Sequence, residues 1–366
     1  MEPDVIVVGG GVIGLLSAWR MAQAGLAVTL YERGKPGAES SAAALGVLSV
    51  EAAEHRPAEY VQFQRASLAL YPALADELRA YTGIDVELRT EGMIYTAYDE
   101  AEAALLEPLL AEQQAAGVAV TRLTEQEART LEPALSEQLR AALFFKATAQ
   151  VDNVRLCTAL ALAAARAGVQ IHVGQPVTRV LREGGRVSGV QVGQFIHRAA
   201  KVVIAAGSWS GSIEGLALPV RPVKGQALSL EAPVIIFHII HHAGGYVTPR
   251  RDGRLLLGAT VEEAGFDKRS TAGAAHGLLS EAIRAVPALS RAAIRETWAG
   301  LRPAAADEMP VLGPVPGAQG LIVATGHFRN GILLAPVTAK LVSDWACGHK
   351  PELGIDLRRF SPERFG

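Results

Sequence analysis

The chain has 366 residues, which is long enough for two domains of ordinary size. Hydrophobic residues make up 49% and charged residues 20%, a composition that excludes wholesale disorder. The formal net charge of −2 argues against a general nucleic-acid binder, because contacts to phosphates need a surplus of clustered Lys and Arg.

The sequence shows no signal for export or membrane insertion. Its two cysteines, Cys157 and Cys347, are too few and too far apart for a disulfide framework or a thiolate metal site. The N-terminus lacks a basic region, and glycines interrupt the apolar stretch behind it, so we expect no signal peptide. No run reaches the ~18 uninterrupted apolar residues of a membrane span. These features predict a cytoplasmic protein without a membrane span.

The first thirty-odd residues predict one βαβ unit. The β-branched run at residues 4–8 predicts a strand, and residues 13–24 predict a helix that ends at Gly25. Residues 28–31 predict a second buried strand, parallel to the first.

Helical patterns follow through the middle of the chain. We expect helices at residues 59–82 before Gly83, at 99–116 before Gly117, after the capping pair Thr124 and Glu127, and at 153–167 before Gly168. A strand at residues 169–173 then follows.

Two further runs, residues 202–206 and 321–325, end at Gly207 and Gly326. Each is typical of a central parallel strand that brings a glycine to the edge where a ligand binds. Between them, short runs separated by turns predict an antiparallel sheet at residues 226–230, 234–240, 246–249 and 254–258. We therefore expect two interleaved domains, each built from discontinuous pieces.

The turn of the first βαβ unit carries the G-x-G-x-x-G pattern of dinucleotide-binding proteins. Gly9 suits the tight turn, Gly11 the close approach of a pyrophosphate, and Gly14 the packing of helix on strand. Glu32 ends the second strand, where a carboxylate can accept hydrogen bonds from ribose hydroxyls. A glycine turn in an ordinary α/β domain would leave Glu32 unexplained, so we expect a bound dinucleotide.

The fingerprint does not distinguish nicotinamide from flavin. After Arg33, however, the chain runs through the small residues of positions 40–47 instead of a second βαβ unit. Small residues let the backbone pack closely against a bulky ligand, which favours flavin.

Taken together, these residues resemble the glycine oxidase and D-amino-acid oxidase family of flavoproteins. The matching segments span almost the whole chain in the family's order: VIVVGGGVIGLLSAW, YERG, SSAAALGVL, VVIAAGSWSG, PVKGQ, GYVTPR, LLLGAT, WAGLRP and GHFRNGILLAP. The resemblance implies an α/β fold with an FAD-binding Rossmann-type domain at 1–83, 147–219 and 297–366. An antiparallel-sheet substrate domain at 84–146 and 220–296 would be interleaved with it.

The resemblance also implies non-covalent FAD. Relatives with covalent flavin attach it to a cysteine shortly after an LRP-like segment, where this chain has alanines at 304–306. Carried over by position, the FAD contacts are Val12, Ile13, Ser40 and Ser41 at the diphosphate, Glu32, Arg33 and Val177 at the adenosine, and Leu45, Gly46 and Val47 at the flavin ring. The expected cofactor-binding residues also include the glycines described above, Gly9, Gly11, Gly14, Gly207 and Gly326. His327, Phe328, Arg329, Asn330, Gly331, Ile332 and Leu333 would place a helix N-terminus at the flavin pyrimidine ring.

Arg302 is the candidate anchor for the substrate's carboxylate, since a buried guanidinium needs an acidic partner and binds carboxylates in bidentate fashion. The alternative is a salt bridge to Asp307 or Glu308. The resemblance adds Tyr246 as a hydroxyl donor to the same carboxylate and Arg329 at the entry side.

Two other features bear on the site. His238, His241 and His242 are close in sequence, but in an alternating strand they would face opposite sides, so we expect no metal site. Leu45, Val47, Gly244 and Gly245 depart from the residues that related oxidases carry, which leaves the outline of the substrate pocket open.

The reaction that the resemblance implies is oxidative deamination of glycine or another small amino or imino acid, such as sarcosine or a D-amino acid. Hydride transfer to flavin needs orientation more than an acid or a base, so we expect no catalytic triad. Oxygen would give hydrogen peroxide, and the imine would hydrolyse to an oxo acid, glyoxylate from glycine, and ammonia. We also expect a homo-oligomer and a role in supplying glycine imine to thiamine thiazole synthesis.

Two other readings stay open at this point. A dehydrogenase of the same fold would pass electrons to a quinone or a protein acceptor. A non-enzymatic FAD-bearing subunit would keep the nucleotide fold without turnover, although Arg302 and Tyr246 weigh against it.

Overall fold

The computed structural model describes residues 2–53, 55–232 and 234–365. Its strands are, in chain order, β1 (Val5–Val8), β2 (Val28–Glu32), β3 (Val47–Leu48), β4 (Met93–Ala97), β5 (Val120–Leu123), β6 (Ala141–Phe145), β7 (Ala149–Gln150), β8 (Gln170–Val173), β9 (Val177–Glu183), β10 (Arg186–Val192), β11 (Phe195–Arg198), β12 (Lys201–Ile204), β13 (Val220–Glu231), β14 (Ile239–His242), β15 (Gly245–Pro249), β16 (Arg254–Gly258), β17 (Ala293–Ala305), β18 (Val311–Pro314) and β19 (Leu321–Thr325). Its helices are α1 (Val12–Gln23), α2 (Ser40–Ala43), α3 (Ala58–Leu68), α4 (Tyr71–Thr82), α5 (Glu100–Ala115), α6 (Glu125–Leu131), α7 (Asn153–Arg166), α8 (Ala272–Ala285) and α9 (Gly331–Ala346).

A six-stranded sheet in the order β18-β19-β12-β1-β2-β8 forms the nucleotide-type half of the fold. Its strands are parallel except for β18, which runs antiparallel to β19. The predicted βαβ unit and the two predicted central strands are therefore confirmed.

Both faces of this sheet are covered, which explains why its strands are continuous apolar runs in the sequence. Alternate residues of β1, Val5 and Val7, pack with α1, α7 and α9 in one core cluster. Ile6 and Val8 pack on the other face against the three-stranded sheet β11-β10-β9. Because successive side chains point to opposite faces of the sheet, β1 contributes to two separate cores.

The second large sheet has eight strands in the order β17-β13-β16-β15-β14-β4-β6-β5. Neighbouring strands are antiparallel except for β14 and β4, which pair in parallel. Residues of β13, β14, β15 and β16 pack against α8 in a core of their own. The predicted antiparallel sheet is confirmed, whereas the boundaries of the two predicted domains stay a prediction.

One predicted helix and one predicted strand differ from the structure. The helix expected at residues 59–82 is two helices, α3 and α4, because Pro72 has no N–H to donate to the carbonyl of Leu68. The strand expected at 234–240 begins only at Ile239. The backbone N–H groups of Phe237 and His238 instead donate to the Glu132 carboxylate, at 2.8 and 3.0 Å.

The capping box predicted at Thr124 and Glu127 is present at the start of α6. None of the helices in the described ranges is both long and apolar enough to cross a membrane.

Gly14 is the glycine of the first turn whose replacement we expect to destabilise the fold most. A Cβ at Gly14 would overlap the carbonyl oxygen of Gly9, so α1 would have to move away from β1. We expect Gly14→Ala to lower the free energy of unfolding by about 3 kcal/mol, as overpacking does, in urea denaturation followed by circular dichroism. Gly277→Ala in α8 is the control, because a Cβ there meets open space and should be neutral or stabilise by up to about 1 kcal/mol. Equal stability of the two variants would contradict this role of Gly14.

Candidate functional site

A cavity of about 990 Å³ lies at the carboxyl ends of the parallel strands. The residues that end or follow β1, β2, β12 and β19 line it together with the first turns of α1 and α9. Residues of β15 and β17 from the eight-stranded sheet complete the wall. Ligands of open α/β sheets bind at this edge, so the cavity is the candidate site.

The glycine turn presents the N-terminus of α1 to the cavity. A Cβ at Gly9 would overlap the carbonyl of Ala205, so this glycine is needed where the turn crosses β12. At Gly11 a Cβ would meet only the Ser41 hydroxyl, at 3.3 Å, so this side of the turn is open. The N–H of Val12 donates to Ser41 Oγ at 3.0 Å. An anionic diphosphate would find free N–H groups in this first helical turn.

Glu32 holds the turn from the end of β2. Its Oε2 accepts from the N–H of Gly10 and its Oε1 from the N–H of Gly34, both at 2.7 Å. The side chain is buried yet lines the cavity. It can therefore stabilise the turn and still present oxygen lone pairs to ribose hydroxyls.

The segment after α2 is fixed by a buried cation. Arg250 donates through Nη2 to the carbonyl of Leu45 at 2.9 Å and to Asn153 Oδ1 at 3.0 Å, and burial lowers its pKa to about 10. The hydroxyls of Ser40 and Ser208 both donate to the carbonyl of Leu301 on β17.

The start of α9 is fixed by side chains from other elements. Asn330 donates through Nδ2 to the Tyr60 hydroxyl at 2.8 Å, one residue before the helix begins at Gly331. His327 is buried and its Nε2 lies 3.1 Å from the Thr338 hydroxyl. Burial lowers the pKa of His327 to about 3, so its ring is uncharged at neutral pH.

Most of the predicted cofactor residues line this one cavity: Gly9, Gly11, Val12, Ile13, Glu32, Arg33, Ser40, Ser41, Leu45, Gly46, Val47, Val177, Gly207, His327, Phe328, Arg329, Asn330, Gly331 and Ile332. Three others do not line it. Gly14 packs on Gly9, Gly326 packs on Val311 and Ala305, and Leu333 is a core residue of α9. These three support the wall from behind instead of facing a ligand.

The residues present fit a flavin dinucleotide. Two helix N-termini, a carboxylate at the end of the second strand and a long continuous cavity match the parts of such a ligand. Neither cysteine lines the cavity in the described part of the chain, and burial raises the pKa of the Cys157 thiol to about 12. The thiols are therefore not placed to bond covalently to a ligand in this cavity.

Arg302 reaches the cavity from β17 without an acidic partner. Its Nη1 donates to the carbonyls of Thr260 and Lys224, at 2.9 and 3.3 Å, and the structure records no partner for Nη2 among the described residues. Gly225 makes room for it, since a Cβ there would overlap the guanidinium. Burial and the nearby charge of Arg329 lower the pKa of Arg302 to about 10, so it stays charged at neutral pH.

The alternative partners of Arg302 are engaged elsewhere. Asp307 pairs with Arg364 at 2.7 Å, and Glu308 pairs with Arg56 at 3.3 Å. The sequence-based alternative of a salt bridge to either acid is therefore wrong, and the free guanidinium remains available to a ligand carboxylate.

An aromatic cluster adjoins the guanidinium. The ring of His241 stacks on Tyr95, with centroids 3.7 Å apart, and meets Tyr246 edge-on at 4.6 Å. Burial lowers the pKa of His241 to about 3 and raises that of Tyr246 well above its usual value. Arg329 lies at the exposed rim, with its guanidinium 5.4 Å from the ring of Phe328.

The three neighbouring histidines do not gather around a metal. His238 precedes β14 and lies near Glu132, whereas His241 is in the aromatic cluster and His242 is buried. No group of three potential ligands occurs among residues 2–53, 55–232 and 234–365.

The two glycines before Tyr246 serve close packing. A Cβ at Gly245 would overlap the carbonyl of Gly258 on β16, and its φ of +129° disfavours other residues. A Cβ at Gly244 would lie 2.8 Å from Glu281 of α8. The two glycines therefore permit the close approach of neighbouring elements.

Sequence reasoning missed several residues of the site. Glu51, Tyr95 and Gly225 come from distant parts of the chain, and His241 was weighed only as a metal ligand. The PVKGQ segment contains Gly225, so its glycine was the one available signal.

Comparison with known proteins agrees with this geometry. Residues 4–345 match the family described as FAD dependent oxidoreductase. The chain is 36% identical to glycine oxidase of Pseudomonas putida over 99% of both chains. It is 34% identical to the bifunctional protein ThiO/ThiG of Trichormus variabilis, over 96% of this chain and 54% of that protein. The crystal structure of glycine oxidase from Geobacillus kaustophilus has a TM-score of 0.93 and 37% identity to it, and the match covers 98% of each chain.

The family match covers nearly the whole chain, and the cavity has the parts that a flavin dinucleotide needs. The chain therefore belongs to the FAD-dependent oxidoreductase (DAO) family and is an FAD-dependent amine oxidoreductase.

Proposed function

We propose that this protein oxidises glycine or another small amino or imino acid, with O2 as the electron acceptor and hydrogen peroxide, an oxo acid and ammonia as products. The observation that carries the proposal is that the Arg302 guanidinium is charged and has no acidic partner, and that it lies in the same cavity as the glycine turn. Glycine oxidases of P. putida and G. kaustophilus are similar over nearly the full chain, which supports this substrate class.

We propose that FAD binds without a covalent bond. The diphosphate would contact Gly11, Val12, Ile13, Ser40 and Ser41, the adenosine Glu32, Arg33 and Val177, and the flavin ring Leu45, Gly46, Val47 and residues 327–332. When bound, FAD supplies the redox chemistry, because it accepts a hydride from the substrate's α-carbon.

The protein's own contribution is orientation. Arg302 would hold the substrate carboxylate through Nη2 and Nε, while Nη1 stays on the two backbone carbonyls. The Tyr246 hydroxyl and the Arg329 guanidinium would add donors to the same carboxylate. Two fixed attachment points restrict the α-carbon to a small set of positions. This orientation is the source of the rate advantage of a bound substrate.

Acid–base catalysis by histidine is not part of the proposal. His241 and His327 line the cavity, but the pKa of each is lowered to about 3 by burial. Burial therefore keeps both rings uncharged near neutral pH and makes them weak bases, unlike a general base whose pKa lies near the working pH.

A role in supplying glycine imine to thiamine thiazole synthesis is the finer proposal. The similarity to a bifunctional protein named ThiO/ThiG supports it. The cytoplasmic location and the homo-oligomeric state expected from the sequence stay predictions.

The first test is direct turnover. Purified protein incubated with glycine, sarcosine, D-alanine or D-proline should consume oxygen and release an equimolar amount of peroxide, measured with an oxygen electrode and a peroxidase-coupled assay. Flavin that an amino acid reduces and a quinone, but not oxygen, reoxidises would identify a dehydrogenase instead. No reduction by any of these substrates would contradict the proposal.

The second test concerns Glu32. Glu32→Ala removes an acceptor for ribose hydroxyls together with two hydrogen bonds that hold the glycine turn, so FAD affinity should fall about 10- to 100-fold. Acid precipitation should release intact FAD from the wild type, and titration of apoprotein with FAD gives both dissociation constants. Turnover at saturating FAD should stay within about 3-fold of wild type. A variant that keeps FAD affinity but loses turnover would move Glu32 to the reaction itself.

The third test concerns Arg302. Removing one partner of a desolvated charge pair costs about 2–5 kcal/mol, so Arg302→Ala should lower kcat/KM by about 30-fold to several thousandfold while FAD stays bound. Arg302→Lys should recover only part of the loss, because an ammonium lacks the planar fork. Wild-type kcat/KM in the alanine variant would show that the carboxylate anchor lies elsewhere, with Arg329 the next residue to replace.

A further inference from the structure

Glu51 is a cavity carboxylate to which the reaction proposed above gives no role. It follows β3 and lines the cavity with Arg329, Tyr246 and His241. Among the residues that the structure describes, no Lys, Arg or His nitrogen lies within 4.0 Å of its carboxylate oxygens. A half-buried carboxylate without an ion pair beside a substrate site points to a ligand.

The backbone of Glu51 is fixed, so its position is not that of a free loop. Its N–H donates to Oε1 of Gln64 at 3.2 Å. The next residue, Ala52, exchanges two hydrogen bonds with Gln113, at 2.8 and 3.0 Å. Both glutamines are fully buried, one in α3 and one in α5. Two helices therefore hold this segment against the cavity.

The other acidic residues of the cavity already have partners. Glu32 accepts two backbone N–H groups, and Glu39 pairs with Arg33 and Lys268. Glu214 pairs with Arg179, and Glu308 pairs with Arg56. Within the described ranges, Glu51 is the cavity carboxylate left for a bound molecule.

The groups that face Glu51 define what it can receive. Burial raises the pKa of Glu51 above its ordinary value, and the Ser49 hydroxyl and the charges of Arg329 and Arg56 offset part of this shift. Burial, and after it the charge of Glu51, raises the pKa of Tyr95 and of Tyr246. His241, between the two tyrosine rings, is uncharged. Glu51 thus lies within electrostatic range of the tyrosine that also feels Arg302.

An amino acid carries a carboxylate and an ammonium on the same carbon. The carboxylate suits Arg302 and Arg329, but an ammonium beside these two cations needs an anion to offset their repulsion. We propose that Glu51 is that anion and binds the amino group of the substrate, an inference that rests on the proposed oxidation of small amino acids. The site then recognises the zwitterion and not merely a carboxylate.

The test compares two ligands of the same shape that differ in this one group. α-Aminoisobutyrate is a zwitterion without an α-hydrogen, so the holoenzyme cannot oxidise it, and pivalate carries a methyl group in place of the ammonium. Isothermal titration calorimetry on wild type, Glu51→Gln and Glu39→Gln gives the dissociation constant of each. Glu39 is the matched control, because it lines the same cavity and already pairs with Arg33 and Lys268.

Glu51→Gln should raise the dissociation constant of α-aminoisobutyrate about 10- to 100-fold and change that of pivalate by less than about 3-fold. Glu39→Gln should change neither by more than about 3-fold. In wild type, acidification through the raised pKa of Glu51 should weaken the binding of α-aminoisobutyrate and leave the binding of pivalate unchanged, because only the carboxylate form of Glu51 attracts an ammonium. Glu51→Gln should abolish this pH dependence.

An equal loss of both ligands in Glu51→Gln would make the residue structural and overturn the inference. Unchanged binding of both would overturn it as well, and so would a wild type that binds pivalate but not α-aminoisobutyrate; in these cases the carboxylate anchor at Arg302 still stands. A wild type that binds neither ligand would overturn the proposed function itself and this inference with it.

Discussion

The long antiparallel pair β13–β17 positions two parts of the cavity wall, the Arg302 guanidinium and the small-residue segment around α2. Its register places Gly225 opposite Gly300, so neither strand carries a side chain at that point. The room at Gly225 is taken by the Arg302 guanidinium, and the room at Gly300 by the methyl group of Ala43 in α2. The Trp298 indole, on the same strand as Arg302, donates to the Ala43 carbonyl at 3.0 Å. A shift of this register by one residue would displace the Arg302 guanidinium and the small-residue segment together.

Electrostatics explains why the cavity suits a zwitterion. A guanidinium that burial has partly removed from water is costly unless its donors are satisfied, and the two backbone carbonyls on Arg302 satisfy only one of its nitrogens. The histidines nearby are neutral, so the arginines and Glu51 set the charge at the substrate end. A ligand that carries a carboxylate and an ammonium group would pair with the unsatisfied donors of Arg302 and with the Glu51 carboxylate at the same time. This balance would bind and orient the substrate, whose ammonium group must still lose a proton before the α-carbon can give up a hydride and form the imine.

The parts of the fold that could be predicted are those that depend on neighbouring residues. The βαβ unit, its glycine turn and Glu32 lie within one stretch of chain. The strands that end at 204 and 325 could be predicted because a glycine follows closely after each. The missed features depend on contacts across the chain. The strand begins only at Ile239 because Glu132, about a hundred positions earlier, accepts hydrogen bonds from the backbone N–H groups of Phe237 and His238. Glu51 is one acidic residue among many until the buried glutamines of α3 and α5 are seen to hold it at the cavity.

The proposed preference for small substrates rests on the packing around the cavity more than on the glycines near Tyr246. In the sequence, Gly244 and Gly245 leave the outline of the pocket open. In the fold, however, Gly245 is required by the approach of the Gly258 carbonyl, and Gly244 by the side chain of Glu281. His241 and Tyr246 line the cavity there, and Tyr95 supports His241 from behind. The ring centroid of His241 lies 3.7 Å from that of Tyr95 and 4.6 Å from that of Tyr246, so these rings cannot move apart without losing their contacts. Because packed aromatic rings form part of the cavity wall beside Arg302, we expect small amino acids to be turned over faster than bulky ones.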